Sequence, residues 1–472
     1  MSRINTNIAS LIGRNNLAKA SADEQTALTR LSTGLRINSG ADDPAGLIAS
    51  EALGSSITGT TKALSNTQSA SGLISTAESA LSQVSKLLND IRGLVTEAAN
   101  SGALSADQIS ANQLQVDSSL QAIDRITSTT NFQGKKLLDG SLGFTTSSVA
   151  SANIGSLDIG QATIGTSGSV ALTLSVTTAA AKASVTGLAS TGILASQAVI
   201  EVAGSKGTEV FTFGTGTTGA QITNAINLVS DSTGVAADSS GASVLFNSQD
   251  YGSAQTVDIK LISGAFTGAG THATGTDVAG NINGAAFTGK GLAAKVNTST
   301  LSLTANLTSA FATATGSTSF NITGGGALFQ LGSDVLANQQ LRIGITNTST
   351  AELSATLSGV NHRLYEIKSG QANDLTTSAT NAFQIVDQVI NQVSTLRGRL
   401  GAITATTLTT NTASLNDRLT SLTTAQSNIR DADFATETAN LTRAQILVQS
   451  GTSVLGISNS RPQQVLSLIP RS

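Results

Sequence analysis

The chain runs to 472 residues, with 26 Lys and Arg set against 29 Asp and Glu and a formal net charge of -3. Charged residues make up only 12% of it, Cys and Trp are absent, and only His272 and His362 supply imidazoles, which leaves no disulfide, thiolate metal site or His-rich cluster to build. The scattered basic residues form no stripe, so neither nucleic acid nor an anionic membrane surface is an expected partner, and the length accommodates about three domains of ordinary size.

The first residues, MSRINTNIASLIGRNN, carry an early Arg but no apolar run of signal-peptide length. No stretch of about 18 uninterrupted apolar residues occurs anywhere, so membrane insertion is not expected and secretion would need another route than a cleaved signal. Ile4, Ile8 and Leu11 make this end apolar, and Leu28, Leu31 and Leu35 repeat at steps of three and four. In GADDPAG, Asp42 and Asp43 could be imagined as an acid/base pair with Glu51. Pro44 favours a turn that restarts a helix, because the missing N–H costs nothing at the first helical position.

From residue 46 the apolar spacing becomes that of a coiled-coil seam: Ile74, Ala77, Leu81, Val84, Leu88, Ile91, Val95 and Ala98 alternate steps of three and four. Asn100-Ser101-Gly102 breaks it, and Val116, Leu120 and Ile123 resume it in a second helix, so an antiparallel hairpin is predicted. In NFQGKKLLDGS, residues 131 to 141, Gly134 and the Asp139-Gly140 pair suit tight turns and predict a small β-hairpin closing the block near Phe144.

Residues 145 to about 350 read as short alternating strands, including VALTLSV at 170–176, EVFTF at 209–213, TVDIKLI at 256–262 and TLSLTANL at 300–307, with a small helix, AQITNAINLV, at 220–229. Gly214, Gly216 and Gly219 imitate a dinucleotide fingerprint, with Asp238 downstream. The preceding strand alternates polar and apolar residues, whereas a Rossmann strand is apolar on both faces, so a turn into a packing helix is the better expectation. His362, in GVNHRLYE, has no second ligand at metal spacing and reads as a solvated or capping residue.

Toward the C-terminus, Val386, Ile390, Val393, Leu400 and Ile403 form one stripe, and Leu415, Leu419, Leu422 and Ile429 another. The last segment is apolar again, with Ile446, Leu447, Val454, Leu455, Val465, Leu466, Leu468 and Ile469. Neither end has a third apolar face to bury its own seam, so the two ends should share one bundle. A helix of about 40 residues would make it a rod of roughly 60 Å. The outermost segments are expected to order only against a partner surface.

The expected class is therefore α+β: a long coiled-coil rod of paired N- and C-terminal segments with an inserted β-rich domain or pair of domains. The expected division is 1–45 as terminal helix and linker, 46–144 as the first half of the rod with its hairpin, 145–350 as the insertion, 351–430 as the second half of the rod, and 431–472 as the closing helix. Function should lie in the helix seams and termini, with no cofactor. An enzyme would lack a nucleophile with its base, while a ligand-displaying β insertion stays open.

TGLRINSGADDPAGLIASEAL, residues 33 to 53, strongly resembles the N-terminal signature of bacterial flagellins, and NFQGKKLLDG resembles the hairpin after their second helix. IRDADFATETANLTRAQILVQSGTSVLGISNSRPQQVLSLI, residues 429 to 469, looks like the flagellin C-terminus throughout. The stretch near 200–263 is similar to the "hook IN" type repeat of flagellins and hook-associated proteins, and GGALFQLGSD also looks flagellin-like. The resemblance implies a self-assembling helical tube with the terminal helices as inner core, the rod outside them and the insertion facing outward. It also implies export unfolded through the flagellar type III apparatus, an export chaperone, and contacts with flagellar cap and hook-filament junction proteins. Asp90 and Gln115 depart from the pattern of flagellins sensed by the vertebrate innate receptor, although Leu94 matches it, and this counts against such recognition.

Overall fold

The computed structural model describes residues 7–100, 102–164, 168–187, 193–240, 243–298, 300–357 and 360–467, without the side chains of 240 and 462–467. Ile4 and Leu468 lie outside the described residues, as do the side chains of Val465 and Leu466.

Seven helices of more than one turn appear in the described chain: α1 (Ile8–Thr33), α2 (Pro44–Ala98), α3 (Ala106–Thr129), α4 (Gly219–Leu228), α5 (Leu375–Ala402), α6 (Thr409–Arg430) and α7 (Phe434–Ser467). Their ends follow capping chemistry that the sequence supplies. Asn7 accepts from the Ser10 N–H at the start of α1, and Gly34 closes it in the left-handed conformation with φ 71°. Asp43 Oδ1 accepts from the Gly46 N–H at 2.9 Å, with Pro44 as the first residue of α2, which is the predicted turn and not an acid/base pair. Ser105 and Gln108 form a capping box on α3, and Thr218 and Gln221 another on α4.

The chain divides into two compact units. The terminal unit holds residues 1–65, 332–334 and 411–472; the central unit holds the remainder.

The central unit has three apolar cores. In the first, the seam residues Ile74, Leu81, Val84, Leu88, Ile91 and Val95 of α2 pack with Val116, Leu120 and Ile123 of α3, with Val386, Val393 and Leu400 of α5 and with Ile403 just beyond it, all of them buried. N- and C-terminal segments thus share one bundle, as the missing third face required. Ile390 is only partly buried, and Ile385, Val389 and Leu396, absent from the expected stripe, are buried instead. The hairpin Asn131–Phe132 with Lys135–Lys136 turns through Gln133 and Gly134, both at positive φ (50° and 82°), the backbone of a type I′ turn.

The second core lies under a ten-stranded sheet in the order Ala327–Gln330, Gln340–Ile343, Ile154–Ala162, Leu301–Leu307, Ala293–Asn297, Ala285–Lys290, Ala279–Ile282, Val170–Thr178, Gly316–Gly325, Phe144–Ser147. The third belongs to a smaller β unit, where α4 packs near the sheets Ser184–Gly187, Ser243–Ser248, Val235–Ser240 and Thr271–Thr274, Thr256–Gly264, Ala198–Gly204, Thr208–Phe213. Every pairing between these strands is antiparallel. The strand before the glycine triplet therefore sits at a sheet edge with no parallel neighbour, and the triplet is a turn: Gly216 has φ 86° and its N–H donates to the Leu194 carbonyl.

Candidate assembly interface

Within the terminal unit α1 and α7 run antiparallel. At one end the Asn7 side chain donates to the Ser458 carbonyl (2.9 Å) and Ser10 Oγ to Asn459 (2.8 Å); at the other, Ala432 N–H donates to the Gly34 carbonyl and Arg36 N–H to the Arg430 carbonyl. Residues of the two terminal segments therefore supply each other with a partner surface within one subunit.

What they bury is unusual. Gly13, Ala20 and Ala27 recur every seven residues on α1, and Glu437, Ala444, Gly451 and Ser458 on α7. Ala20, Ala27 and Ala444 are buried, and a Cβ built at Gly13 would stand 3.1 Å from Leu455 Cδ1, one at Gly451 3.4 Å from Leu17 Cδ1. The seam thus alternates small residues with Leu17, Leu31 and Leu455, and it admits close backbone approach. Glu437 is buried within it, and Arg30 Nη1 lies 3.5 Å from its carboxylate.

A seam made of small residues leaves the large ones elsewhere. Ile8 (55% exposed), Leu11, Ile12 and Leu28 on α1, and Phe434 (72%), Ile446, Leu447 (51%), Val454 and Ile457 (62%) on α7, are open to solvent. Leu447, Val454 and Ile457 fall on one face by helical spacing. Of the other residues expected in this region, Leu31, Leu35, Leu419, Leu422, Ile429 and Leu455 are half-buried, and Leu415 is buried. The sequence stripes miss the small-residue seam because here Gly and Ala lack the run of large apolar residues that frames Ala77 and Ala98 in α2; their period of seven is the available signal.

The polar clusters are structural. Asp42 accepts from the Ser39 N–H and Oγ and from the Asn38 N–H, and these bonds hold its carboxyl below the usual range. Asp433 is lowered in the same way by the Thr436 hydroxyl and the Thr436 and Ala435 N–H groups. His362, expected to be solvated or capping, instead sits half-buried with Nδ1 2.8 Å from Glu366 Oε2, because the one-turn helix Leu364–Ile367 folds the acid back onto it. Buried Asn373 also donates to that carboxylate at 3.2 Å. Burial raises the Glu366 pKa, but the Arg363 N–H, the His362 ring and Asn373 together outweigh burial and leave it lowered. Among the described residues no three His, Cys, Asp or Glu side chains gather as metal ligands, and no helix is long and apolar enough to cross a membrane.

Paired terminal helices with exposed apolar side chains and a β-rich middle define an α+β structural protein. Comparison with known proteins agrees. Residues 4–142 match the family described as bacterial flagellin N-terminal helical region, and residues 383–469 the bacterial flagellin C-terminal helical region. The chain is 30% identical to a flagellin of Salmonella typhimurium and 31% identical to the B-type flagellin of Pseudomonas aeruginosa, each alignment covering 99% of both chains. Among solved structures, FliC from Burkholderia pseudomallei aligns over 71% of this chain and 99% of that one, at 18% identity and a TM-score of 0.24. The chain belongs to the flagellin family. It is a self-assembling structural subunit of the bacterial flagellar filament, serving motility, and not an enzyme.

Proposed function

We propose that the subunits of this filament join chiefly through the large apolar side chains that the α1–α7 pair leaves outside its own seam. The observation that carries the reading is the placement just described: Ala20, Ala27 and Ala444 are buried in the pair with Leu17, Leu31 and Leu455 half-buried beside them, while Ile8, Leu11, Phe434, Leu447 and Ile457 stay exposed. Burying one such side chain is worth about 1.5–3 kcal/mol, so a few per subunit favour the polymer strongly. Ile4, Val465, Leu466 and Leu468 extend the same apolar series by sequence and belong to the same contact.

The residues of α2, α3 and α5 whose seams are already buried serve the subunit's own core. In this reading 1–45 and 431–472 form the filament's inner layer, 46–144 and 351–430 the surrounding rod, and 145–350 the outward-facing insertion. Export without a cleaved signal, an export chaperone for the C-terminal helix, an extracellular filament, and contacts with cap and junction proteins complete it. Exposed apolar helix faces would need shielding before assembly.

Seeded polymerisation tests the contact. A variant with Leu447→Ser, Val454→Ser and Ile457→Ser is expected to retain the helix content of the intact chain yet fail to elongate seeds. Elongation at the unaltered rate would sink the reading.

A further inference from the structure

Between α5 and α6 the helical path leaves α geometry. Ile403–Leu408 form a π-helical turn, with the Thr409 N–H bonded to the Thr404 carbonyl five residues back. The sequence dictates this. Buried Val389, Val393, Leu396, Leu400 and Ile403 follow steps of four, three, four and three, but the next buried apolar residue, Leu408, stands five on, and buried Leu415 seven beyond it. In a continuous α-helix that one additional residue would swing Leu408 out of the seam by about 100°. The wider turn absorbs it and keeps both Ile403 and Leu408 in the core.

Three further features weaken the backbone ladder here. Gly398 and Gly401 sit in the helix interior with open space where a Cβ would be. Thr404, Thr406, Thr407, Thr409 and Thr410 follow, β-branched residues of low helix propensity. The hydroxyls of Thr404 and Thr406 donate to the Leu400 and Ala402 carbonyls (3.1 and 2.7 Å), and the Thr409 hydroxyl shares the Thr404 carbonyl (2.9 Å) with its own N–H. Side-chain bonds of this kind compete with the ladder. Arg399 meanwhile fixes the upstream side, its Nη1 2.9 Å from Asp158 and its Nη2 donating to the Gly344 carbonyl. Gly160 leaves room for that guanidinium, since a Cβ there would stand 2.6 Å from Arg399 Cδ.

We propose that residues 398–410 form a compliant joint in the C-terminal helical strand, a place where the subunit yields under bending load while the core contacts on either side stay buried. The backbone ladder gives way there and the side chains hold.

Hydrogen exchange on the full chain, free and in filaments, reads this directly. Amides of 404–409 are expected to exchange at least tenfold faster than those of 389–396, and deletion of Thr406, which restores a four-residue step, is expected to erase the difference and reduce the thermal bending of filaments. Should that deletion prevent folding, the pair Gly398→Ala and Gly401→Ala, which enters open space, is expected to slow the same amides and stiffen the filament. Equal protection of the two segments in the intact chain overturns the proposal, as does slowed exchange in a folded variant whose filaments bend as before.

Discussion

The central and terminal units both rest on helices with a heptad period, yet they invert what the period carries. In α2, α3 and α5 it carries Leu, Ile and Val, and those side chains vanish into the subunit's own core. In α1 and α7 one heptad position carries mostly small residues, with Leu17, Leu31 and Leu455 half-buried beside them, so the pair closes while Ile8, Leu11, Leu447 and Ile457 stay in water. The difference separates two purposes that one repeat can serve. A large-residue seam makes a unit stable alone, whereas in the reading proposed above the terminal pair keeps its exposed apolar side chains for a neighbour.

The comparison breaks most decisively through one matched pair of substitutions. Leu447→Ala should change the stability of the free subunit by no more than about 0.5 kcal/mol, yet raise the critical concentration for polymerisation roughly tenfold to a hundredfold. Leu88→Ala, in a fully buried position, should instead destabilise the free subunit by about 2–5 kcal/mol in chemical denaturation. If Leu447→Ala costs the free subunit as much as Leu88→Ala does, the inversion is not what distinguishes the units.

A second contrast probes the small seam itself. Gly451→Val places branched carbons against Leu17 and is expected to loosen the α1–α7 pair by about 1–3 kcal/mol, seen as earlier melting of the terminal helices with the central unit's transition unmoved. An unchanged melt would mean that the close approach at Gly451 carries no energy.

The smallest expected effect concerns acid. Glu366 and Asp374 of the central unit have lowered folded-state pKa values, so the stability they confer is complete above the ordinary carboxylate pKa and is lost as the pH falls through the lowered one. For Asp374, burial opposes ionisation, but the Thr377 and Thr376 side-chain contacts and the Gly370 N–H prevail. Glu366→Gln should therefore cost about 1 kcal/mol near pH 7 and nothing once the pH is well below 4. A gap that persists into strong acid would show that packing, and not charge, sets the contribution of Glu366.

Much of this was legible in the residues. The seam of α2 was read position by position because large apolar side chains at steps of three and four leave little choice of buried face, and the strands around Val170, Thr256 and Leu301 announced themselves by alternation. The small-residue seam of α1 and α7 escaped because Gly and Ala carry almost no hydropathy signal, although they decide how near two backbones can come. The π-helical turn is hidden for another reason: the stripes on either side are plain, and only the five-residue step between Ile403 and Leu408, which an unbroken helix does not accommodate, marks it. The Glu366–His362 contact depended on a one-turn helix too short to show a period.

The hydrogen bond from Asn7 to Ser458 joins positions 451 apart in the chain. Closing so large a loop carries an entropic cost and slows formation of the contact. The first helix has no mate until the helix Phe434–Ser467 is present, so a chain cut before it cannot complete the pair. In the reading proposed above, a subunit lacking either helix has no paired face to offer a neighbour.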